Sequence, residues 1–367
     1  MMIRTKPVSL LLMCVSLVFL LSCGGGGGNG GSGGGSGSHL AYAAIPTDNG
    51  IAAFRISNSS GAFTTIFGSP FPGGSSPASV VVHPGNKFVY AANQSGNDIS
   101  LFTIDSSTGA LVEKAPRTPA DVSPTLLVMD SGGSFLFAAN QSSGTISAYS
   151  IDAGSGALTA IPGSPFPCGP TPVAMALAPS GNFLFVANAN LAGVSVLTVN
   201  SGVLHLVTGS PFPVGHGPLG LAVAPSGNLL YVANSFDSTL SVMSVASTGA
   251  LSLVPGTPVT AGTTPVAVAF DSTGAYVYTA NEDSSNISAF SINSTTGVPI
   301  ALTTNATVSV STNPIFLTLD PSGKYFLVSS QGTKTITEMK IDSTTGTLTS
   351  SNTTTTDQPV TSIAVTK

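Results

Sequence analysis

A frame of seventeen residues recurs along this chain, and it limits the possible folds more than any other feature. Residues 172–188 read PVAMALAPSGNFLFVAN, 218–234 read PLGLAVAPSGNLLYVAN and 265–281 read PVAVAFDSTGAYVYTAN. Residues 77–93 and 124–140 fit the same frame, and 314–330 fits it more loosely. The leading prolines, Pro77, Pro124, Pro172, Pro218, Pro265 and Pro314, lie 47, 48, 46, 47 and 49 residues apart. A period of that size marks stacked or circular units, none of which buries its apolar face alone.

Each unit reads as four strands. A small-residue run such as 173–178 is closed by a Pro-Ser-Gly-Asn or Asp-Ser-Thr-Gly turn. An aromatic and β-branched strand such as 183–187 follows and ends at Ala-Asn. A polar loop leads to an alternating third strand, such as TISAYSI at 145–151. A glycine turn then opens a short fourth strand. Four short strands per unit predict an all-β, seven-bladed β-propeller with four antiparallel strands per blade. β-helix coils are much shorter, and ankyrin or tetratricopeptide units are helical.

The first unit lacks its first strand, because HLAYAAI at 39–45 aligns with the second strand of the next unit. The missing piece is PVTSIAV at 359–365. The C-terminal strand is therefore expected to complete the first blade and close the ring, leaving no free blade interface. The pentapeptide GSPFP, at 68–72, 163–167 and 209–213, follows each fourth strand and decays to GTPV at 256–259. It is expected to be the crossover between blades, with prolines guarding an outer edge and phenylalanine filling the gap between neighbours.

Ahead of the repeats, Arg4 and Lys6 precede an apolar run at 8–21 that ends in Leu-Leu-Ser-Cys-Gly. The run has the length of a signal-peptide core and is short for a membrane span. Its end resembles the lipobox of bacterial lipoproteins, which implies cleavage before Cys23 and acylation of that residue. Residues 24–38, GGGGGNGGSGGGSGS, cannot build a core. Flexible-chain statistics give them a root-mean-square reach of roughly 20 Å. The expected organisation is a signal peptide over 1–22, a lipidated cysteine and tether over 23–38, and the propeller over 39–367. Such a protein would be extracytoplasmic and bound to membrane lipid through Cys23.

Without Arg4 and Lys6, eight basic residues face fifteen acidic ones, a formal charge of −7. No Lys or Arg occurs between Arg117 and Lys324. Nucleic-acid binding needs a basic footprint, so that class of partner is excluded. Past Cys23 only Cys168 remains, so no disulfide within the domain is expected. Cys168 has no neighbouring His or cation in sequence and is expected to be inert.

The repeated frame, followed by T-I-S-x-F-x-I and T-G-x-L, is similar to the YVTN-type and 6-phosphogluconolactonase-like (lactonase family) seven-bladed propellers. The resemblance covers residues 39–367. It implies an active site at one mouth of the central channel, with an Arg-His pair after a blade's leading proline and a Glu after the Asn that ends a second strand. Glu282 matches that glutamate. The Arg-His pair has no counterpart: Val266 and Ala267 follow Pro265, and the fourth unit reads Pro170-Thr-Pro-Val-Ala174. A phosphorylated sugar acid would also need Arg or Lys in its site, and units three to six have none.

The family arrangement would place the crossovers and the loops after second strands on the channel face. Glu282 and His216 are the candidate catalytic residues there, and Asp237, Asp283, Asn234 and Asn281 the candidate ligand-binding residues. An acid–base pair could be built from them, but they show no metal-ligand spacing, and neither metal nor cofactor is expected. Asn93, Asn140, Asn188, Asn234 and Asn281 recur at strand ends, where asparagine commonly bonds its own backbone and tolerates left-handed conformations. His83 falls on the opposite face and His205 on an outer strand. Three readings stand: a module binding a small ligand or a protein at the channel face, a lactone hydrolase using Glu282, alone or with His216, and a purely structural surface-display protein with no ligand.

Overall fold

The computed structural model describes residues 15–16, 38–58 and 60–367. The expected signal peptide, apart from the short strand Val15–Ser16, lies outside the described residues, as do Cys23 and the tether up to residue 37. Val15–Ser16 pairs in parallel with Pro172–Leu177, and cleavage before Cys23 would remove it. Among the described residues no helix is long and apolar enough to cross a membrane.

Seven sheets form the fold, and in all but the first the strands run from inner to outer in chain order. Blade 3 is typical, with strands Pro124–Met129, Phe135–Asn140, Thr145–Ile151 and Leu158–Ala160. The ring closes as expected. Ser362–Val365 pairs with Ser38–Ile45, with Ala41 opposite Val365 and Ala44 opposite Ser362. The same segment reaches blade 2, where the Thr361 hydroxyl donates to the Ala78 carbonyl at 2.9 Å. Blade 1 is therefore built from both ends of the propeller sequence. The closing strand is shorter than expected, starting at Ser362 rather than 359.

Apolar side chains from both faces of each sheet fill the seams between blades. Leu126, Phe137 and Ile146 of blade 3 cluster with Met175, Leu184 and Val186 of blade 4. The innermost strands approach so closely that a Cβ on Gly220 would lie 2.6 Å from the Val266 carbonyl oxygen of the next blade.

The pentapeptide differs from expectation in one respect. Its Phe-Pro pair does not cross between blades but rejoins the outer edge of its own sheet. Phe71–Pro72, Phe166–Pro167 and Phe212–Pro213 each pair with the start of the third strand. The serine before the first proline explains why the motif repeats. The N–H groups of Ala53, Ala148 and Val196, in the gap between the two halves of the outer strand, donate to the hydroxyls of Ser69, Ser164 and Ser210 at 2.9, 2.9 and 2.7 Å. Thr257 fills that place in blade 5. A hydroxyl thus replaces a strand carbonyl, and no mid-strand donor is left bare. The Ser–Pro bonds of the three copies are cis. Each phenylalanine packs into the seam toward the next blade, as expected.

A second repeated device joins blades. Tyr42, Tyr90, Tyr231 and Tyr278, on second strands, are fully buried. Their hydroxyls donate to the carbonyls of Gly109, Gly156, Gly297 and Gly346 at 2.9, 2.7, 2.5 and 2.8 Å. Each acceptor is the glycine turning the third strand of the following blade into its fourth. A buried phenol thereby satisfies both itself and a turn carbonyl.

Candidate functional site

Two faces follow from this strand order. Second strands run into loops 46–49, 94–97, 141–144, 189–192, 235–238, 282–285 and 331–334, which share one face with the blade crossovers. The turns after first and third strands form the opposite face. His216 lies in the crossover from blade 4 to blade 5, Asp237 in the blade 5 loop, and Glu282 and Asp283 in the blade 6 loop. All four therefore share the face expected to hold the site.

His216 and Asp237 meet although twenty-one positions separate them. The His216 backbone N–H donates to Asp237 Oδ2 at 2.7 Å, and its Nδ1 lies 3.0 Å from Oδ1. The backbone donor, helped by the ring, holds the Asp237 carboxyl below the usual carboxylate range. With Nδ1–H directed at Asp237, the neutral tautomer leaves Nε2 as a base. The ring is 77% exposed, so Nε2 is accessible. The crossover makes this possible locally. Gly217 adopts φ +63°, a left-handed conformation that glycine takes without steric cost, and its carbonyl accepts from the Ser235 hydroxyl at 2.8 Å.

On blade 6, the Glu282 backbone N–H donates to the Thr264 carbonyl at 2.9 Å, and the Thr264 hydroxyl donates to Asp283 at 2.6 Å. Burial, reinforced by the negative charge of Asp283, pushes the Glu282 carboxyl above its ordinary range. Its carboxyl is thus held toward the protonated form, opposite in direction to Asp237. No hydrogen bond or ion pair joins the His216–Asp237 pair to Glu282 or Asp283 among the described residues. The face therefore holds a base-like pair and an acid-like group on adjacent blades rather than one linked relay.

Two candidates are corrected. Asn234 and Asn281 are fully buried and present no surface on this face. Asn234 Nδ2 donates to Thr239 and Ser241 at 3.0 and 2.9 Å, and Asn281 Nδ2 donates to Asn286 and Ser288 at 2.8 and 2.9 Å. The recurring asparagine ties the second strand to the third through side chains, and only Asn188 among the five also donates to nearby backbone, at the Val186 carbonyl. Crossover glycines cover it: a Cβ on Gly215 would sit 2.5 Å from Asn234 Cγ, and one on Gly262 as close to Asn281. Blade 7 has Ser330 in the asparagine place and Ser311 in the glycine place.

Cys168 is fully buried, and burial pushes its thiol up to about 12, which fits an inert group. His83 lies on the opposite face, bonded to the Gly133 carbonyl, and His205 pairs with Thr198 on the rim. Sequence reasoning missed two members of the site face. Phe236 is 74% exposed beside His216 and packs over Gly217. Asp121, in the crossover from blade 2 to blade 3, accepts from the Thr145 hydroxyl at 2.8 Å. Burial opposes its charge, but hydrogen bonds from Thr145, Ser143 and the Val122 N–H prevail and hold it below the usual range. Among the described residues no group of three His, Cys, Asp or Glu side chains is arranged to hold a metal ion.

The fold has close structural counterparts. A candidate 6-phosphogluconolactonase of Bacteroides fragilis superposes with a TM-score of 0.76 at 21% identity, covering 90% of this chain and 98% of that one. A protein from Lactobacillus plantarum gives 0.74 at 19%, with coverage of 90% and 100%. The periplasmic gluconolactonase of Pseudomonas aeruginosa gives 0.74 at 17%, with coverage of 90% and 99%. At these identities the likeness concerns the fold. No curated protein matches the chain. The sequence profile described as "Lactonase, 7-bladed beta-propeller" matches residues 36–167 and 208–311, passing over blade 4. With more than half of its length matched, the chain belongs to the lactonase family of seven-bladed β-propellers.

Proposed function

We propose that this lactonase-family propeller binds a ligand without strong negative charge on the face of His216 and Glu282, and that it is tethered outside the cytoplasm through an acylated Cys23. One observation carries the ligand reading. From blade 3 to blade 6 this face presents Asp121, Asp237, Glu282 and Asp283, and the chain has no Lys or Arg between 117 and 324. A phosphate or carboxylate ligand would bring negative charge to a surface with no cation to meet it. A neutral ligand, by contrast, finds carboxylates and an imidazole as hydrogen-bond partners beside the exposed Phe236 ring.

Hydrolysis of an uncharged lactone is the second reading, and the His216–Asp237 pair favours it. Nε2 would take a proton from a water attacking the lactone carbonyl. Protonated Glu282 would give one to the departing ring oxygen, yielding the open hydroxy acid. A panel of neutral and phosphorylated lactones with wild-type, Glu282→Gln and His216→Ala proteins separates the readings. Binding by thermal shift without turnover is expected. Turnover of a neutral lactone lost in both variants would establish the hydrolase, and saturable binding of a phosphorylated lactone would overturn the ligand reading.

A further inference from the structure

We infer that the face opposite the site, around Ser38, is a docking surface for a layer of anionic lipid headgroups, so that the His216–Glu282 face opens away from the membrane. This rests on the tether reading above.

Three observations converge. The first is where the tether joins. Ser38 begins the second strand of blade 1 and pairs with Ser57 at the end of the third, whereas Ile45, at the other end, pairs with Gly50 on the site face. The chain therefore enters the propeller from the opposite face. The second is length. The fifteen residues 24–38 have a root-mean-square reach of roughly 20 Å. A domain of this size is about 50 Å across by the usual scaling of radius with length. An anchor on so short a line keeps the attached face toward the lipid, and inverting the domain would need a nearly straight tether.

Charge is the third. Arg55, Lys87, Lys324, Lys340 and Lys367 all lie on the opposite face of blades 7, 1 and 2, and Arg55 Nη1 donates to the Ser38 hydroxyl itself at 3.0 Å. All four lysines are exposed. Asp105, Asp320 and Asp342 share that sector, so five cations face three carboxylates. Each carboxylate accepts N–H groups of its own turn. Round the whole ring the opposite face adds Asp130, Asp152 and Asp271, giving five cations to six carboxylates, whereas the site face carries Asp48, Asp98, Asp121, Asp237, Glu282, Asp283 and Asp357 against Arg117 and Lys334, two cations to seven. Anionic headgroups attract lysines within a screening length of the surface and repel carboxylates. Tether and charge therefore turn the same face to the lipid.

The test uses the mature acylated protein in vesicles of phosphatidylglycerol and phosphatidylethanolamine doped with an acceptor-labelled lipid. Single labelling sites come from Ser343→Cys, in a blade 7 turn on the opposite face, and Ser142→Cys, in a blade 3 loop on the site face. Both serines are exposed, and buried Cys168 should not compete for label. Energy transfer to the lipid is expected to be stronger from position 343. That contrast should shrink at about 1 M salt, where the screening length falls to about 3 Å, and in a Lys87→Gln/Lys324→Gln/Lys340→Gln protein. Equal transfer from the two positions, stronger transfer from 142, or a contrast indifferent to salt would overturn the docking surface. The mass of the mature chain tests the tether separately: a Cys23 without acyl groups would remove both readings.

Discussion

The seam between blades 5 and 6 and the seam between blades 3 and 4 follow one template but are fastened differently. In the first, Tyr231 packs edge-on against Phe270, with ring centroids 5.0 Å apart, and its hydroxyl reaches the Gly297 carbonyl at 2.5 Å. In the second, Phe137 holds the tyrosine place, and the corresponding turn glycine, Gly202, lies against Phe135 and Ile161. Blade 4 also has phenylalanine there, at Phe185. Two consecutive seams, 3/4 and 4/5, thus have apolar contact where four others add a phenol-to-carbonyl bond. The aromatic ring supplies the seam's bulk, which either residue provides, and the hydroxyl adds a directional bond. At the closing seam Leu327 holds the tyrosine place, and Asn352 Nδ2 of blade 7 donates to the Ser60 carbonyl of blade 1 at 2.6 Å.

Removing the closing seam should have the largest effect. Truncation after Asp357 deletes Ile363 and Val360, 3% and 2% exposed, together with the Thr366 hydroxyl that accepts from Leu40 N–H. At about 1.5–3 kcal/mol for each buried aliphatic side chain, more than about 3 kcal/mol is lost before any strand pairing is counted. The domain should unfold at a markedly lower temperature in one cooperative step, and an unchanged melting curve would refute the ring as a cooperative unit. Gly220→Ala comes next, because its Cβ would press on the Val266 carbonyl of the neighbouring blade. Overpacking of this kind costs about 1–3 kcal/mol, readable as a lower denaturant midpoint.

Tyr231→Phe converts a bonded seam into the blade 3 type and strands the Gly297 carbonyl. A loss of about 1–2 kcal/mol is expected in chemical denaturation, and a neutral result would mean the hydroxyl is dispensable. The reciprocal change, Phe137→Tyr, should gain up to about 1 kcal/mol if its hydroxyl finds Gly202 as its counterparts find their glycines. Destabilisation instead would show that seam 3/4 is shaped for phenylalanine. The smallest effect concerns Glu282. Its carboxyl is raised in the folded state, so the folded protein holds that proton over a pH range where the unfolded chain has lost it. The associated stability is present below the ordinary carboxylate range and lost as pH rises through the raised value. Glu282→Gln should remove this component from the pH dependence of the melting temperature, and identical pH profiles would contradict it.

The fold was legible because its signal repeats: the prolines set the period, and 39–45 and 359–365 are halves of one unit. The tyrosine bonds were not, since Tyr231 and Gly297 are sixty-six positions apart and the frame accepts phenylalanine equally well. The Phe-Pro pair was misplaced because two prolines suggest a break, while its short reunion with the third strand leaves no alternating pattern. The site was half legible. Chain order alone puts His216, Asp237, Glu282 and Asp283 on one face, but the contact between the first two depends on a left-handed glycine. Phe236 is a lone exposed ring in a loop, and no periodicity singles it out. Asn234 and Asn281 drew attention because they recur, yet recurrence here serves the blade and not a ligand.

Shared construction of blade 1 also sets the timing of assembly. Strand 38–45 leaves the ribosome more than three hundred residues before its partner Ser362–Val365. Until residues 362–365 emerge, the nascent polypeptide has an unfilled place in its first blade and cannot lock into a circle. Final closure therefore waits for strand 362–365, and the ring stays easier to unravel until that strand arrives.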